Sequence, residues 1–295
     1  MPFTFSHPAA VLPLLSGGRG RGPLIASALV AGSLAPDLPF FADSLLPGSY
    51  ALGGTTHRLW AVPTVDVAIA AGLAASWHGL LREPLTALLP APWADRADAL
   101  TAPRRKHYGR SDAAWFAASA AIGAASHLGW DSFTHHGRAG VRRFPVLNRE
   151  VGGMPGYLAL QWSTSAVGLA VLAAAAARAL RAPEQVEPRP ALPSRTRRRA
   201  VGLLAASAAA GAVHRSLRDL SGRPGASALV AVASFGGGAG ALAGAALYAA
   251  GTRLTDRRRP AERSIPERPP KMGKRDAEPG PQRRPAPVRG RADQP

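Results

Sequence analysis

The sequence predicts an all-α protein: a polytopic transmembrane bundle of about six to seven apolar helices, ending in a disordered basic tail. Three observations predict this class. Apolar residues form 46% of the 295 residues, and they gather in long Ala-rich blocks. Short stretches rich in Arg and Pro separate the blocks. The last block, Ala226 to Ala250, carries no charge, so it lacks the polar face that a soluble helix turns to water. A soluble Ala-rich bundle is the competing reading, because Ala favours helix in any solvent.

The elements follow in order. Phe3 to Ser16 is short of the ~20 residues of a span and is interrupted by His7, Pro8 and Pro13. It reads as a half-span or an interfacial helix. It does not read as a cleavable signal, because Met1 to Phe5 carries no Lys or Arg. The next apolar segments are Leu24 to Phe41, Val62 to Leu81, Ala113 to Thr134 and Tyr157 to Leu180. Residues 1–181 are therefore expected to form one membrane domain. A Pro- and Arg-rich linker, 182–199, separates it from a C-terminal pair of transmembrane helices within 200–251. Residues 252–295 are rich in Pro, Arg and Lys and poor in large apolar side chains, so they cannot bury a core and are expected to be disordered.

The formal charge of +18 suggests nucleic acid on a soluble chain. Here Arg lies between apolar blocks and in the tail, as in loops that face anionic lipid, so membrane lipids rather than nucleic acid are the expected partners. Arg and Lys are denser in alternate loops, which places those loops and the tail in the cytoplasm of a multi-pass plasma-membrane protein. The 135–156 loop, with Arg138, Arg142, Arg143 and Arg149, fits this orientation least well. Gly236, Gly240 and Gly244 lie along one face of the last helix. They permit close helix packing, including packing into a homo-oligomer, although Gly is also common in Ala-rich membrane helices. With no cysteine, disulfides, thiolate metal sites and cysteine nucleophiles are excluded. Gly18-Arg19-Gly20-Arg21-Gly22 has no strand before it and is not a dinucleotide fingerprint.

Ionisable residues inside apolar segments are costly and mark candidate sites. His127, Asp131 and His135 recur every four residues, which stacks them along one helix face with a rise of ~6 Å per step. Two imidazoles and a carboxylate on one stripe suit a divalent metal such as zinc. His7, Asp37 and His57 reach the same outer face in the orientation above and complete a set of six candidate ligands. Six exceed what one ion needs, so two ions or a shell of supporting partners would account for them. Asp66, early in its segment on the same side, is a candidate supporting residue, whereas His78, His107 and His214 read as interfacial or weak. The competing readings are a polar structural network, in which the Asp residues pair with Arg58 or Arg138, and a proton or solute pathway.

The motifs Phe3-Thr4-Phe5-Ser6-His7-Pro8, Ala35-Pro36-Asp37, Thr56-His57 and His127-Leu128-Gly129-Trp130-Asp131-Ser132-Phe133-Thr134-His135 fall in this order. In them the chain resembles DUF4184, a family of bacterial, mostly actinobacterial, membrane proteins with no assigned activity, over about residues 1–180. The same pattern is similar to that of membrane-bound metal-dependent hydrolases and, more distantly, of zinc-dependent phospholipase C. That likeness implies His7, Asp37, His57, His127, Asp131 and His135 as metal ligands. The expected activity is metal-dependent hydrolysis of an ester or phosphoester in a lipid or envelope substrate, with Asp37 or Asp131 as a candidate general base. The alternative is a non-catalytic membrane scaffold tied together by its His/Asp cluster.

Overall fold

The computed structural model describes residues 3–103, 109–182, 190–219 and 225–257. His107, the Arg104–Lys106 charges, residues 183–189 of the basic linker and the tail from 258 onward lie outside the described residues. The chain opens with a 3-10 helix, Thr4–Leu14, because Pro8 and Pro13 withhold backbone donors and crowd the residues before them. A short hairpin of β1 (Leu15–Ser16) and β2 (Arg19–Gly20) then reverses the chain. Helix α1 (Ala26–Leu34) ends where Pro36 enters a 3-10 turn, Ala35–Asp37, and α2 (Leu38–Ala42) continues from it. The apolar segment read as one span is thus broken at its Pro-Asp dipeptide.

Helix α3 (Gly53–Thr56) is a single turn, and α4 (Val65–Ser76) runs into a π-helical turn, Trp77–Leu81, and α5 (Arg82–Thr86). Helix α6 (Trp93–Thr101) precedes the long α7 (Arg110–Thr134). Helix α8 (Ala139–Arg143) and the β3–β4 hairpin (Glu150–Val151 with Met154–Pro155) lead to α9 (Gly156–Arg181). Helix α10 (Ser194–Asp219) begins inside the Arg-rich stretch, and α11 (Ala226–Arg257) runs past Gly251. Among the described residues, three helices are long and apolar enough to cross a membrane: Gly156–Arg181, Ser194–Asp219 and Ser227–Thr255. The remaining apolar segments form shorter or more polar helices, because Pro36, the Trp77–Leu81 turn and the ionisable residues of α7 interrupt them.

Small residues set how closely the helices approach. A Cβ on Gly32 of α1 would lie 2.1 Å from the Ala120 carbonyl oxygen, and one on Gly123 of α7 would lie 2.3 Å from that of Leu29. The two backbones therefore touch, and Ala28, Ala31, Ala35, Ala70 and Ala120 close the core around them. The C-terminal pair uses the same device: a Cβ on Gly236 would meet the Gly211 oxygen at 2.3 Å, and one on Gly240 would meet the Ser207 oxygen at 2.1 Å. Gly244 abuts the Ser207 side chain. The glycine stripe of α11 is therefore occupied by α10 of the same chain.

Candidate metal centre

Four helical pieces bring the candidate residues together. The contact of α1 with α7 sets His127 against the end of α1, where its Nδ1 lies 2.8 Å from the Ser33 carbonyl oxygen. A carbonyl can only accept, so Nδ1 carries a proton, and Nε2 is the inward nitrogen that an ion would take. His57 is held in the same way, with Nδ1 2.8 Å from the Gly53 carbonyl oxygen. The neighbouring Thr56 hydroxyl donates to the Pro36 carbonyl at 2.7 Å and ties α3 to the Pro-Asp turn. That turn directs Asp37 inward, and its Oδ2 accepts from the Thr4 hydroxyl at 2.6 Å. Asp131 lies one helical turn after His127, as the spacing requires.

The inward atoms share one separation. Asp37 Oδ1 lies 3.5 Å from His57 Nε2 and 3.5 Å from His127 Nε2. Asp131 Oδ2 lies 3.4 Å from His57 Nε2 and 3.5 Å from His127 Nε2. These separations exceed the 2.7–3.2 Å of an N–H···O hydrogen bond. They fall in the range of about 3–4 Å expected between donor atoms that would share one metal ion at ~2.1 Å. One donor atom from each of the four residues falls within 4.8 Å of the others, and all four residues are buried. His127 Nε2 and Asp37 Oδ1 have no hydrogen-bond partner, a state that buried polar atoms avoid. An ion at the centre would satisfy both.

His7 and His135 flank this group on the other side of Asp131. The His7 ring stacks on His127 with centroids 3.7 Å apart, and its Nε2 is 3.5 Å from Asp131 Oδ1. Both His7 nitrogens are buried without a partner. Helix α7 ends at Thr134, so His135 adopts extended backbone and does not continue the helical stripe. Its Nδ1 still lies 3.5 Å from Asp131 Oδ1 and 3.2 Å from the Asp131 carbonyl oxygen. His136 falls in the turn that follows. Asp66, in the first turn of α4, is fully buried with neither oxygen hydrogen-bonded, and α4 packs on the Pro-Asp turn. His78 lies in the π-helical turn beyond α4, and His214 is on the exposed side of α10. Neither Arg58 nor Arg138, both exposed, is among the described partners of Asp37 and Asp131.

Burial lowers the basicity of the His57 imidazole, but the Asp131 and Asp37 carboxylates outweigh it and raise its pKa to about 9. A divalent ion provides the same positive charge between the carboxylates and would displace that proton. Two aspartates and two imidazoles suit zinc, manganese or iron better than a soft, thiolate-seeking ion.

The ordered motifs that build this centre are also where a family match decides. The chain belongs to the family described as Domain of unknown function (DUF4184). Its family model matches residues 1–250, so membership reaches through the C-terminal helix pair, beyond the 1–180 seen from the motifs. No curated protein and no solved structure gives a match. This DUF4184 chain also uses groups that its motifs do not mark. Ser33 and Gly53 act through backbone carbonyls, which leave no side-chain signature, and Thr4 acts through a hydroxyl that only the fold brings to Asp37.

Proposed function

We propose that this DUF4184 protein is a multi-pass plasma-membrane protein with a divalent metal centre, and that the centre hydrolyses an ester or phosphoester of a lipid or envelope molecule. The observation that carries the reading is the set of four near-equal carboxylate–imidazole separations among Asp37, His57, His127 and Asp131, with one donor atom from each residue within 4.8 Å of the others. His7 and His135 join them as further ligands or as neighbours that hold and move protons at Asp131 Oδ1. A divalent ion supplies Lewis acidity toward an ester or phosphoester and acidifies water. The residues do the rest. The Ser33 and Gly53 carbonyls fix the imidazole tautomers, Thr4 orients Asp37, and the small-residue core excludes water.

Solvent touches the centre at His57, 8% exposed, and at Asp131, 3% exposed, whereas Asp37 and His127 are sealed. Access therefore comes from the His57–Asp131 side, next to His135. Asp131 carries one oxygen toward His57 and His127 and the other toward His7 and His135. Pivoting it would open a position without dismantling the other three donors. The Arg and Lys distribution supports an outward-facing site and a cytoplasmic tail.

A structural metal is the second reading, favoured by the closure of the centre with four protein donors and little exposure. One experiment separates the two. The detergent-purified protein is expected to hold about one divalent ion per chain by elemental analysis, and His127→Ala to insert in the membrane without it. The hydrolytic reading expects cleavage of nitrophenyl esters or phosphoesters that a chelator stops and metal restores. Metal without cleavage would favour the structural centre. Protein free of metal in both forms would sink both and leave the polar network.

A further inference from the structure

Helix α10 is a candidate span, yet Arg215 within it is only 2% exposed. A buried guanidinium is retained only where its donors are satisfied, so its partners show what it holds. Its Nη1 donates to the Phe40 carbonyl at 2.9 Å and to the Ser44 hydroxyl at 2.9 Å. Its Nη2 lies 3.1 Å from Asp43 Oδ2, and Nε bonds Asp219. The guanidinium carbon sits 5.9 Å from the centre of the Tyr50 ring. Arg218, one turn on, adds contacts of 2.6 Å and 2.5 Å to the carbonyl and carboxylate of Asp43.

Apart from Asp219 on α10 itself, these partners lie in 40–50, the stretch that leaves Asp37 and leads to His57. The link reaches the centre through Phe40. Its ring packs 4.7 Å from Tyr50 and 5.6 Å from His57, centroid to centroid. It also fills the space beside Gly53, where an added Cβ would lie 2.1 Å from the ring. Gly53 supplies the carbonyl that fixes the His57 tautomer. One guanidinium therefore bonds the backbone three residues after Asp37 and, through Phe40 and Tyr50, braces the turn that aims His57.

We infer that Arg215 is a positioning residue of the metal centre, by which the C-terminal helix pair holds Asp37 and His57 at ligand separation. This rests on the metal reading above. It differs from a general stabilising role, because it predicts a change in the ligand field at an otherwise folded centre.

The test uses the full chain in detergent or nanodiscs, with cobalt(II) as the probe ion. The parent should give a tetrahedral cobalt spectrum. Arg215→Met should weaken cobalt binding, by less than the roughly 10–100-fold that removing a direct hydrogen-bond partner of a ligand costs, because Arg215 acts through Phe40. It should also alter the visible bands while the chain stays monodisperse. Arg215→Lys keeps the charge but not the planar fork, and should recover only part of the loss. In metal-free protein, amide exchange over 40–57 should be faster in Arg215→Met than in the parent. Parental affinity, spectrum and exchange in Arg215→Met would overturn the inference. If that variant fails to accumulate, Phe40→Leu tests the same link one step nearer the centre, and parental behaviour there overturns it too. A parent that binds no cobalt refutes the metal reading; the exchange comparison still decides whether Arg215 braces the segment.

Discussion

Replacing Thr4 with Val tests the centre through a single atom. Val keeps the branched shape of Thr at this buried position and removes the hydroxyl donor. That hydroxyl donates to Asp37 Oδ2 at 2.6 Å, while Oδ1 of the same carboxylate faces His57 and His127. Asp37 is fully buried, so no bulk water replaces the lost donor. A hydrogen bond to a charged group contributes about 1.5–3 kcal/mol, and about 1.4 kcal/mol is tenfold in an equilibrium constant. The expected loss of metal affinity is therefore roughly 10–100-fold, the range seen when partners of metal ligands are removed. Competition with a chromophoric chelator on detergent-purified protein measures it directly. Thr4→Ser should bind like the parent, because it restores the hydroxyl. Thr4→Val within about twofold of the parent, with the fold intact, would refute the assignment of Asp37 as a ligand oriented by Thr4.

The pH dependence of loading follows from His57. With its pKa raised to about 9, the metal-free imidazole holds a proton at neutral pH that an entering ion must displace. Apparent affinity should rise with pH up to about 9, with proton release on binding visible in calorimetry across buffers; a flat profile would contradict the assignment of His57. Burial raises the Asp43 carboxyl, but the Tyr50 and Gly48 amides and the arginines of α10 outweigh it and hold it below its ordinary value. A depressed folded value stabilises above the unfolded one and is lost as pH falls through the folded one. The Gly48 and Tyr50 amides, which donate to Asp43 at 2.8 Å and 3.1 Å, should thus stay protected at neutral pH and lose protection only below the ordinary carboxylate range; loss near neutrality would argue against the clamp. Gly240→Leu drives a side chain into the Ser207 carbonyl and should destabilise the C-terminal pair by about 1–3 kcal/mol, read as a lower melting temperature in detergent; an unchanged melt would mean α10 and α11 do not pack this way.

The helices were largely legible because their cause is local. Ala-rich blocks favour helix, and α7, α9 and α11 begin within three residues of the apolar segments read from the sequence. The interruptions were less legible as consequences. Pro36 was visible, but its effect depends on what the chain does after it: Ala35–Asp37 becomes a 3-10 turn that ends one helix and aims a carboxylate. The uniform apolar length of Val62 to Leu81 hid the π-helical turn at Trp77–Leu81. These breaks explain why three helices, not six or seven, meet the length and hydropathy of a span among the described residues.

The centre was legible to the extent that a periodic stripe can show it. His127 and Asp131 share a face because 3.6 residues make a turn, whereas His135 leaves that face because the helix stops one residue earlier. His57 and Asp37 belong to no common period, and only the fold sets them 3.5 Å apart. The least legible part is the support. The role of Arg215 has no sequence signature, since a sequence does not reveal that a guanidinium is buried or that it bonds Phe40 and Ser44, more than 170 residues away. The physical argument runs from burial to role. A cation in a candidate span with 2% exposure must have its donors filled, and every described partner outside α10 and α11 lies in 40–50, between Asp37 and His57. The family match supports treating the two parts as one unit, because it continues through residue 250 instead of stopping where the candidate-ligand motifs end.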